Sequence, residues 1–359
     1  MHKLQGHEVR IVASTETFVD NMNLGYVNPN SYFTTEGIPI TRIPYVRFLP
    51  HSVSRKLRIY KGLSKILYEF QPDIIFLHGV QFVGIKEVIN YVRKNKVKVF
   101  ADSHTDYMNS AKSWLSKNIL HKLIYKTCTQ AIEPYILKFW GVTPSRKLFL
   151  EEFYGVSPEK TGLLVMGIDD TELDFKKSLD IRGRIRKELK IENSDFVIIT
   201  GGKIVERKNI HLLMKAVKEL GHPNIHLLVF GSVNDEMTSV IKDLSNAPNV
   251  YNLGWKNAQE IQNLFFAADI AVFPGAHSVL WEQAVGMGLP CIFKEWKGYE
   301  HVDLGGNCVM LSEVNIGNIK NEILSIYNNP LLFQRMKLKA EGGIKKFSYW
   351  EIAKRAIKA

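Results

Sequence analysis

Residues 273–290 read Phe273-Pro-Gly-Ala-His-Ser-Val-Leu-Trp-Glu-Gln-Ala-Val-Gly-Met-Gly-Leu-Pro290. The stretch follows a short apolar run, 267–273, and opens on a Pro-Gly turn. It then takes a helical pattern with a single carboxylate, Glu282, and stops at Gly288-Leu-Pro290. A turn feeding a helix N-terminus at the C-terminal end of a strand is a natural seat for a phosphate. One carboxylate about a turn into that helix can accept hydrogen bonds from sugar hydroxyls. The two features together point to a nucleotide-diphosphate sugar as the ligand. Ser278 and Val279 are then the residues whose backbone N–H groups meet the diphosphate, the Ser hydroxyl assisting. The bland alternative is a Gly-capped amphipathic helix on an ordinary doubly wound domain.

Working outward, strand and helix patterns alternate along the whole chain. The apolar run 9–13 reads as a strand, 57–70 as a helix, and 73–77 as a buried strand ending at His78. A helix over 83–93 and a strand over 97–101, ending at Asp102-Ser-His104, follow. The pattern then gives an amphipathic helix over 113–126, short strands at 131–132 and 139–142 around a helix at 134–138, and a helix over 145–154. A second run of the same kind occupies 196–293, after a charge-rich linker and leading helix at 169–190. Alternation with short loops argues a mainly parallel sheet covered on both faces, here twice. The expected class is α/β, two doubly wound Rossmann-like domains facing a cleft, with boundaries 1–168 plus 347–359 and 169–346.

The chain has 359 residues, 45% hydrophobic and 23% charged, which suits two ordinary globular domains. No apolar run reaches the roughly 18 residues of a membrane span. Three scattered cysteines, Cys128, Cys291 and Cys308, lack metal-ligand spacing and suit a reducing, cytoplasmic setting. Net charge is +11; residues 1–165 hold 22 Lys/Arg against 13 Asp/Glu, the remainder 25 against 23. A basic first half implies an anionic partner. Zinc-finger spacing, an aromatic RNA-binding signature and a helix-turn-helix are all missing, so nucleic acid is not expected. An anionic membrane surface fits better. Trp114, Leu115, Ile119, Leu120, Leu123 and Ile124 fall on one helical face, with Lys112, Lys117, Lys122 and Lys126 on another. The alternative is a core-facing helix with solvated lysines. Arg55, Lys56, Arg58, Lys61 and Lys65 add charge in the same half.

The second half of the opening stretch, with Glu282, Ala284, Gly286, Gly288 and Pro290, resembles the donor-binding segment of retaining GT-B glycosyltransferases, in particular the large family four. The family's Glu-Gly-Phe-Gly tetrad is absent and the loop is shortened to Gly275-Ala-His-Ser278, a form similar to enzymes of bacterial surface-polysaccharide synthesis. The segment Gly201-Gly202-Lys203-Ile-Val-Glu-Arg207-Lys208-Asn209 resembles the family's Gly-Arg-x-x-x-x-Lys-Gly element, with Lys203 at the Arg position. Gly254-Trp255-Lys256 is similar to the loop that passes the nucleobase. In residues 347–359 the chain resembles the family's helix that returns to the first domain.

The resemblance implies a metal-independent, cofactor-free hexosyltransferase moving a sugar from a nucleotide-diphosphate donor, with retention, to a saccharide or lipid-linked acceptor. Localisation would be cytoplasmic, peripheral at the inner membrane face. It implies that Glu282 hydrogen-bonds the ribose, that Lys203 and Lys208 meet the phosphate charge, and that Gly202 and Gly254 pass the donor with their backbones. His104 would hold a sugar hydroxyl or polarise the acceptor, with Asp106 orienting it or binding acceptor. His277 is either a sugar contact or a packed turn residue. No Asp-x-Asp stands at an apolar strand end, so a metal is not implied. Family members open with a strand, a Gly-rich loop and a helix before Gly-His-Glu-Val, whereas this sequence starts almost at Gly6-His-Glu-Val9. The expectation is a first sheet lacking a central strand, with apolar surface exposed near 9–13. Two competing readings are a non-catalytic GT-B domain that binds a sugar nucleotide or a partner, and a GT-B sugar-nucleotide epimerase.

Overall fold

The computed structural model describes residues 1–19, 24–107, 110, 113–171, 173 and 175–358. Two compact units are present: Met1–Leu164 with Ala353–Ala359, and Val165–Ile352.

The N-terminal unit opens with β1 (Ile11–Ser14), β2 (Glu16–Phe18), β3 (Leu24–Tyr26), β4 (Asn30–Phe33) and β5 (Pro39–Ile43). β1 runs parallel to β5, β5 antiparallel to β4, and β2 with β3 makes a separate antiparallel ribbon. After α1 (His51–Leu57) and α2 (Leu63–Phe70) come β6 (Ile74–His78), α3 (Ile85–Val92) and β7 (Lys98–Ser103). A wide-turned helix, Ser116–Tyr125, runs into α4 (Lys126–Ile132). β8 (Ile136–Gly141), α5 (Pro144–Leu148) and β9 (Thr161–Leu163) complete the unit. β6, β7, β8 and β9 form a parallel sheet that is separate from the β1-β5-β4 sheet. Ile11 and Val12 of β1 are 37% and 36% exposed.

Several expectations change here, each for a physical reason. The helix expected over 57–70 is two helices, because Arg58 is left-handed at φ 52° and Gly62 at φ 95°. Residues 131–132 are the end of α4, not a strand, and 136–138 begin β8, not the end of a helix. Pro134 has no N–H to continue α4, so the chain passes through one 3-10 turn, Glu133–Tyr135, and extends from Ile136. β2 to β5 were not legible: β4 is exposed throughout and none of them alternates polar and apolar residues.

The helix over 113–126 does not present one apolar face. Leu120 and Ile124 pack against the core with His121 and Tyr125 buried. Trp114, Leu115, Ile119 and Leu123 are 70%, 64%, 41% and 63% exposed. Lys112 lies outside the described residues. The wide turns rotate successive residues by less than an α-helix does, which splits the stripe into a core row and an outer row.

The C-terminal unit carries α6 (Ser178–Glu188), β10 (Phe196–Gly201), α7 (Ile210–Leu220), β11 (Ile225–Phe230), α8 (Thr238–Leu244), β12 (Val250–Asn252) and α9 (Ala258–Ala267). β13 (Ile270–Phe273), α10 (Leu280–Gly286), β14 (Cys291–Lys294), β15 (Cys308–Leu311), α11 (Ile316–Tyr327) and α12 (Pro330–Lys346) follow. All six strands pair in parallel, in the order β12-β11-β10-β13-β14-β15. The order reverses between β10 and β13, so a crevice opens past their C-terminal ends, where such sheets bind ligands. β10, β11 and β13 are buried on both faces, which is why they read as continuous apolar runs. The closing helix, α13 (Tyr349–Ala356), starts in this unit, and its residues from Ala353 onward belong to the other. There Trp140 donates its indole N–H to the Ala356 carbonyl at 2.9 Å.

One buried cation ties α6 to the sheet. Arg186 is 1% exposed, pairs with Asp269 at 2.7 Å, and donates to the carbonyls of Ala267, Glu192, Asn193 and Asp195. Asp269 also accepts from Arg182 and from the Val197 N–H at the start of β10. Removing one partner of a buried, fully bonded pair strands the other. Arg186→Met should therefore cost about 3–5 kcal/mol of stability, read by urea unfolding of the full chain; a loss of under about 1 kcal/mol would mark the pair as incidental.

Candidate functional site

The loops after β10 and β13 meet at the switch point. Asn209 donates from Nδ2 to the Pro274 carbonyl at 3.0 Å, and the Ala276 N–H donates to the Arg207 carbonyl at 3.0 Å. The contact is tight enough to require glycine: a Cβ at Gly275 would stand 2.2 Å from the Lys208 carbonyl oxygen. Gly231, at φ 130°, has the same requirement, since a Cβ there would lie 1.8 Å from the Gly202 carbonyl oxygen. Gly231 in turn donates its N–H to the Gly254 carbonyl at 2.7 Å. The edge of the sheet thus brings Gly202, Gly254 and the 274–279 loop into one row.

Lys208 reaches across this junction. Its Nζ donates to the carbonyls of Ala276 at 2.5 Å and His277 at 3.0 Å. Burial, with repulsion from Arg207 in second place, lowers its pKa to about 8. Lys203 is exposed on the same loop, next to Gly202, whose backbone packs on Leu280. At the start of α10 the backbone N–H groups of Ser278, Val279 and Leu280 have no acceptor among the described residues. Three successive open donors beside a lysine are a feature that can receive an anion.

Beneath them lies Glu282, fully buried. Its Oε1 accepts from His277 Nε2 at 2.8 Å and His301 Nε2 at 2.9 Å, while Oε2 has no partner. Burial alone would push this carboxyl up; the hydrogen bonds from His277 and His301 outweigh it and hold it at about 2. His277 is 10% exposed in its side chain and packs on Tyr299 and Trp281, with ring centroids 4.4 Å and 5.2 Å away. Trp281 stacks on Phe293 at 4.4 Å. His277 is therefore a packed turn residue, held by Glu282.

In the N-terminal unit His104 lies at the end of β7, next to the end of β6. His78 Nδ1 meets Asp102 Oδ2 at 2.8 Å and His104 Nε2 meets the same oxygen at 3.4 Å. Asp102 is 6% exposed and its Oδ1 has no partner. Burial pushes Asp102 up, but hydrogen bonds from His104 and His78 bring it below its ordinary value. The hydrogen bond from Asp102 raises His78 against the effect of burial. Asp106, expected near His104, is buried with Arg146 at 3.2 Å.

The sequence reading found Lys208, His277, Ser278, Val279 and Glu282, which the structure brings together. It missed His301, Tyr299 and the central role of Asp102. Tyr299 stands in the loop after β14 and His301 in the single 3-10 turn Glu300–Val302 that follows it, a segment too short to show strand or helix periodicity. His78, Asp102 and His104, and likewise His277, Glu282 and His301, have ligand-type atoms within 4.8 Å of one another and could each hold a metal ion. In the second set the short carboxylate–imidazole hydrogen bonds already use the shared oxygen.

The Glu282 carboxyl sits below its ordinary 4.5, so it adds stability above that pH and loses it as pH falls from 4.5 toward about 2. The stability gap between the protein and Glu282→Gln should shrink across that window in pH-dependent urea unfolding. A gap constant from pH 5 to pH 2 would remove the ionised pair from the account.

Residues 181–342 match the family model described as glycosyl transferases group 1. An uncharacterized glycosyltransferase of Methanocaldococcus jannaschii is 22% identical over 291 residues, 76% of this chain and 71% of that one. Among solved structures, Anabaena HepE in complex with UDP superposes with TM-score 0.64 at 14% identity, over 89% of this chain and 85% of that one. WaaG, a glycosyltransferase involved in lipopolysaccharide biosynthesis, gives 0.63 at 14% identity, over 99% and 91%. The likenesses to solved structures show the GT-B fold, and residues 181–342, within the C-terminal unit, are similar to the glycosyl transferases group 1.

Proposed function

We propose that the C-terminal unit seats the diphosphate of a sugar nucleotide on the Ser278–Leu280 N–H groups, and that the chain transfers the hexose with retention. The observation that carries this is the row of three open N–H donors beside Lys208 at the switch point. Departure of a nucleoside diphosphate builds charge on its β-phosphate. Donors and cations fixed there stabilise that charge most in the transition state. Lys208 is already desolvated, so an arriving phosphate meets a concentrated charge. Lys203 adds a second cation from the adjoining loop. Gly202 and Gly254 let the donor approach the sheet edge, and Trp255, 70% exposed beside Gly254, is available to the base.

Glu282 is enclosed and ionised, so its role is anchoring, not proton transfer. Its unpartnered Oε2 is the acceptor left for a ribose hydroxyl when the 276–277 loop yields. No nucleophile is assigned; the leaving phosphate takes the acceptor proton. His104, held by Asp102 in the N-terminal unit, is assigned to a hydroxyl of the sugar or the acceptor. Lys208→Ala should weaken use of UDP-glucose or its congeners by about 2–4 kcal/mol in kcat/KM. Ser278→Pro, which deletes one N–H, should do the same with unchanged unfolding midpoint. Unaltered turnover in well-folded Lys208→Ala would remove the diphosphate seat.

The acceptor is proposed to be a growing surface polysaccharide or its lipid-linked precursor at an anionic membrane. Trp114, Leu115, Ile119 and Leu123 stand out of the N-terminal unit with Lys117 and Lys122 exposed among them. An apolar row flanked by lysines suits an interface, each lysine adding about 1 kcal/mol near anionic lipid, screened by salt. Co-sedimentation with phosphatidylglycerol vesicles should fall at high salt and be lost in Trp114→Ser/Leu123→Ser. Binding that ignores both would place the contact elsewhere.

A further inference from the structure

The segment between β14 and β15 grips the 274–279 loop and α10 from behind. Trp296 donates its indole N–H to the Gly275 carbonyl at 3.3 Å, and Tyr299 packs its ring on His277 with centroids 4.4 Å apart. His301, in the 3-10 turn Glu300–Val302, donates from Nε2 to Glu282 Oε1 at 2.9 Å. Two N–H donors, from His277 and His301, fill the lone pairs of that oxygen. Oε2 has no partner and is the acceptor that Glu282 keeps for a ligand.

The two imidazoles stand on different footings. His277 belongs to the loop itself, so a movement that opens Glu282 to a ribose carries it away. His301 is fixed from outside the loop. Lys346 of α12 donates to its carbonyl at 3.0 Å, and Asn307 donates from Nδ2 to the Val302 carbonyl at 3.2 Å. The His301 side chain is 1% exposed and its ring lies 6.4 Å from that of Phe347. Its Nδ1 is buried with no partner among the described residues. An unpartnered ring nitrogen costs free energy, and an apolar side chain would fill the same space without that cost. What the imidazole supplies here is its bond to Glu282.

We infer that His301 is the positioning residue of the sugar-nucleotide site: it pins Oε1 of Glu282 from outside the 276–277 loop, so that Oε2 receives a ribose hydroxyl after His277 withdraws. The inference rests on the diphosphate seat proposed above and adds the residue that holds Glu282 in the occupied site. His301 acts through Glu282 and touches no part of the nucleotide. With both imidazoles gone, nothing would match the charge of the enclosed carboxylate. The bond that remains is charge-assisted, among the stronger ones a side chain can make.

The test is calorimetric titration of the full chain with UDP, ADP and GDP, the tightest being carried forward with its 2′,3′-dideoxy counterpart. That counterpart keeps the base and the diphosphate and lacks the ribose hydroxyls. The unaltered chain should prefer the hydroxylated nucleotide. His301→Leu should weaken that nucleotide roughly tenfold, the loss of one hydrogen bond to a charged group. It should leave the dideoxy form within about twofold, because the rest of the seat is untouched. A merely structural role would weaken both alike. His301→Gln, whose amide N–H comes near the place of Nε2, should restore most of the preference. His301→Asn, too short to reach Oε1, should behave as His301→Leu and decides alone should the leucine variant not fold. If neither folds, the residue is structural and the inference fails. A preference unchanged in His301→Leu or His301→Asn, or missing from the unaltered chain, overturns the inference and leaves the diphosphate seat standing. Absence of binding by all three diphosphates removes the seat and the inference together.

Discussion

The shared oxygen of Glu282 organises the candidate site. A carboxylate with no solvent contact survives ionised only if its charge is matched by hydrogen bonds. Here two imidazoles supply them, one from the loop after β13 and one from the loop after β14. That fixes His277 inside the turn, which sets the path of Ser278 and Val279 and leaves their N–H groups facing out. Lys208 then closes the turn from the other side by taking the Ala276 and His277 carbonyls. The open donors at the start of α10 are thus a consequence of what lies beneath them.

The same economy of backbone contacts explains the glycines. Gly275 and Gly231 stand where two backbones touch without room for a side chain. These contacts draw the β10, β11 and β13 loops into one row at the point where the strand order reverses. Farther back, Arg186 and Asp269 join α6 to the start of β10 and β13, so the strand ends that bear the loops are anchored at their roots. For the diphosphate seat proposed above, this anchoring means that the donors need not reorganise as charge develops.

The N-terminal unit follows a different logic. Its core lies around β6, β7 and β8 with α3 and α4, while β1 to β5 form small, largely exposed sheets. The helix before α4 adds an outer apolar row that the core does not use.

How much of this was legible depended on the range of the interactions. Apolar runs such as Phe196–Gly201 and Ile225–Phe230 declare buried parallel strands because burial on both faces removes polar residues locally. The turn-helix after β13 was legible for the same reason: Pro274, Gly275 and Glu282 lie within one short stretch. Pro134 also carried its message, though the extended chain after it was misread. What the sequence alone determined is therefore the alternation of elements and the turn-helix that follows β13. The tertiary structure decided that Glu282 is enclosed and paired with His301, nineteen residues away, and that Asp102 serves both His78 and His104. It also decided that wide helical turns divide one apolar stripe into a buried and an exposed row. Those outcomes rest on which side chains meet across strand ends and loops, and no local period in the sequence encodes that meeting.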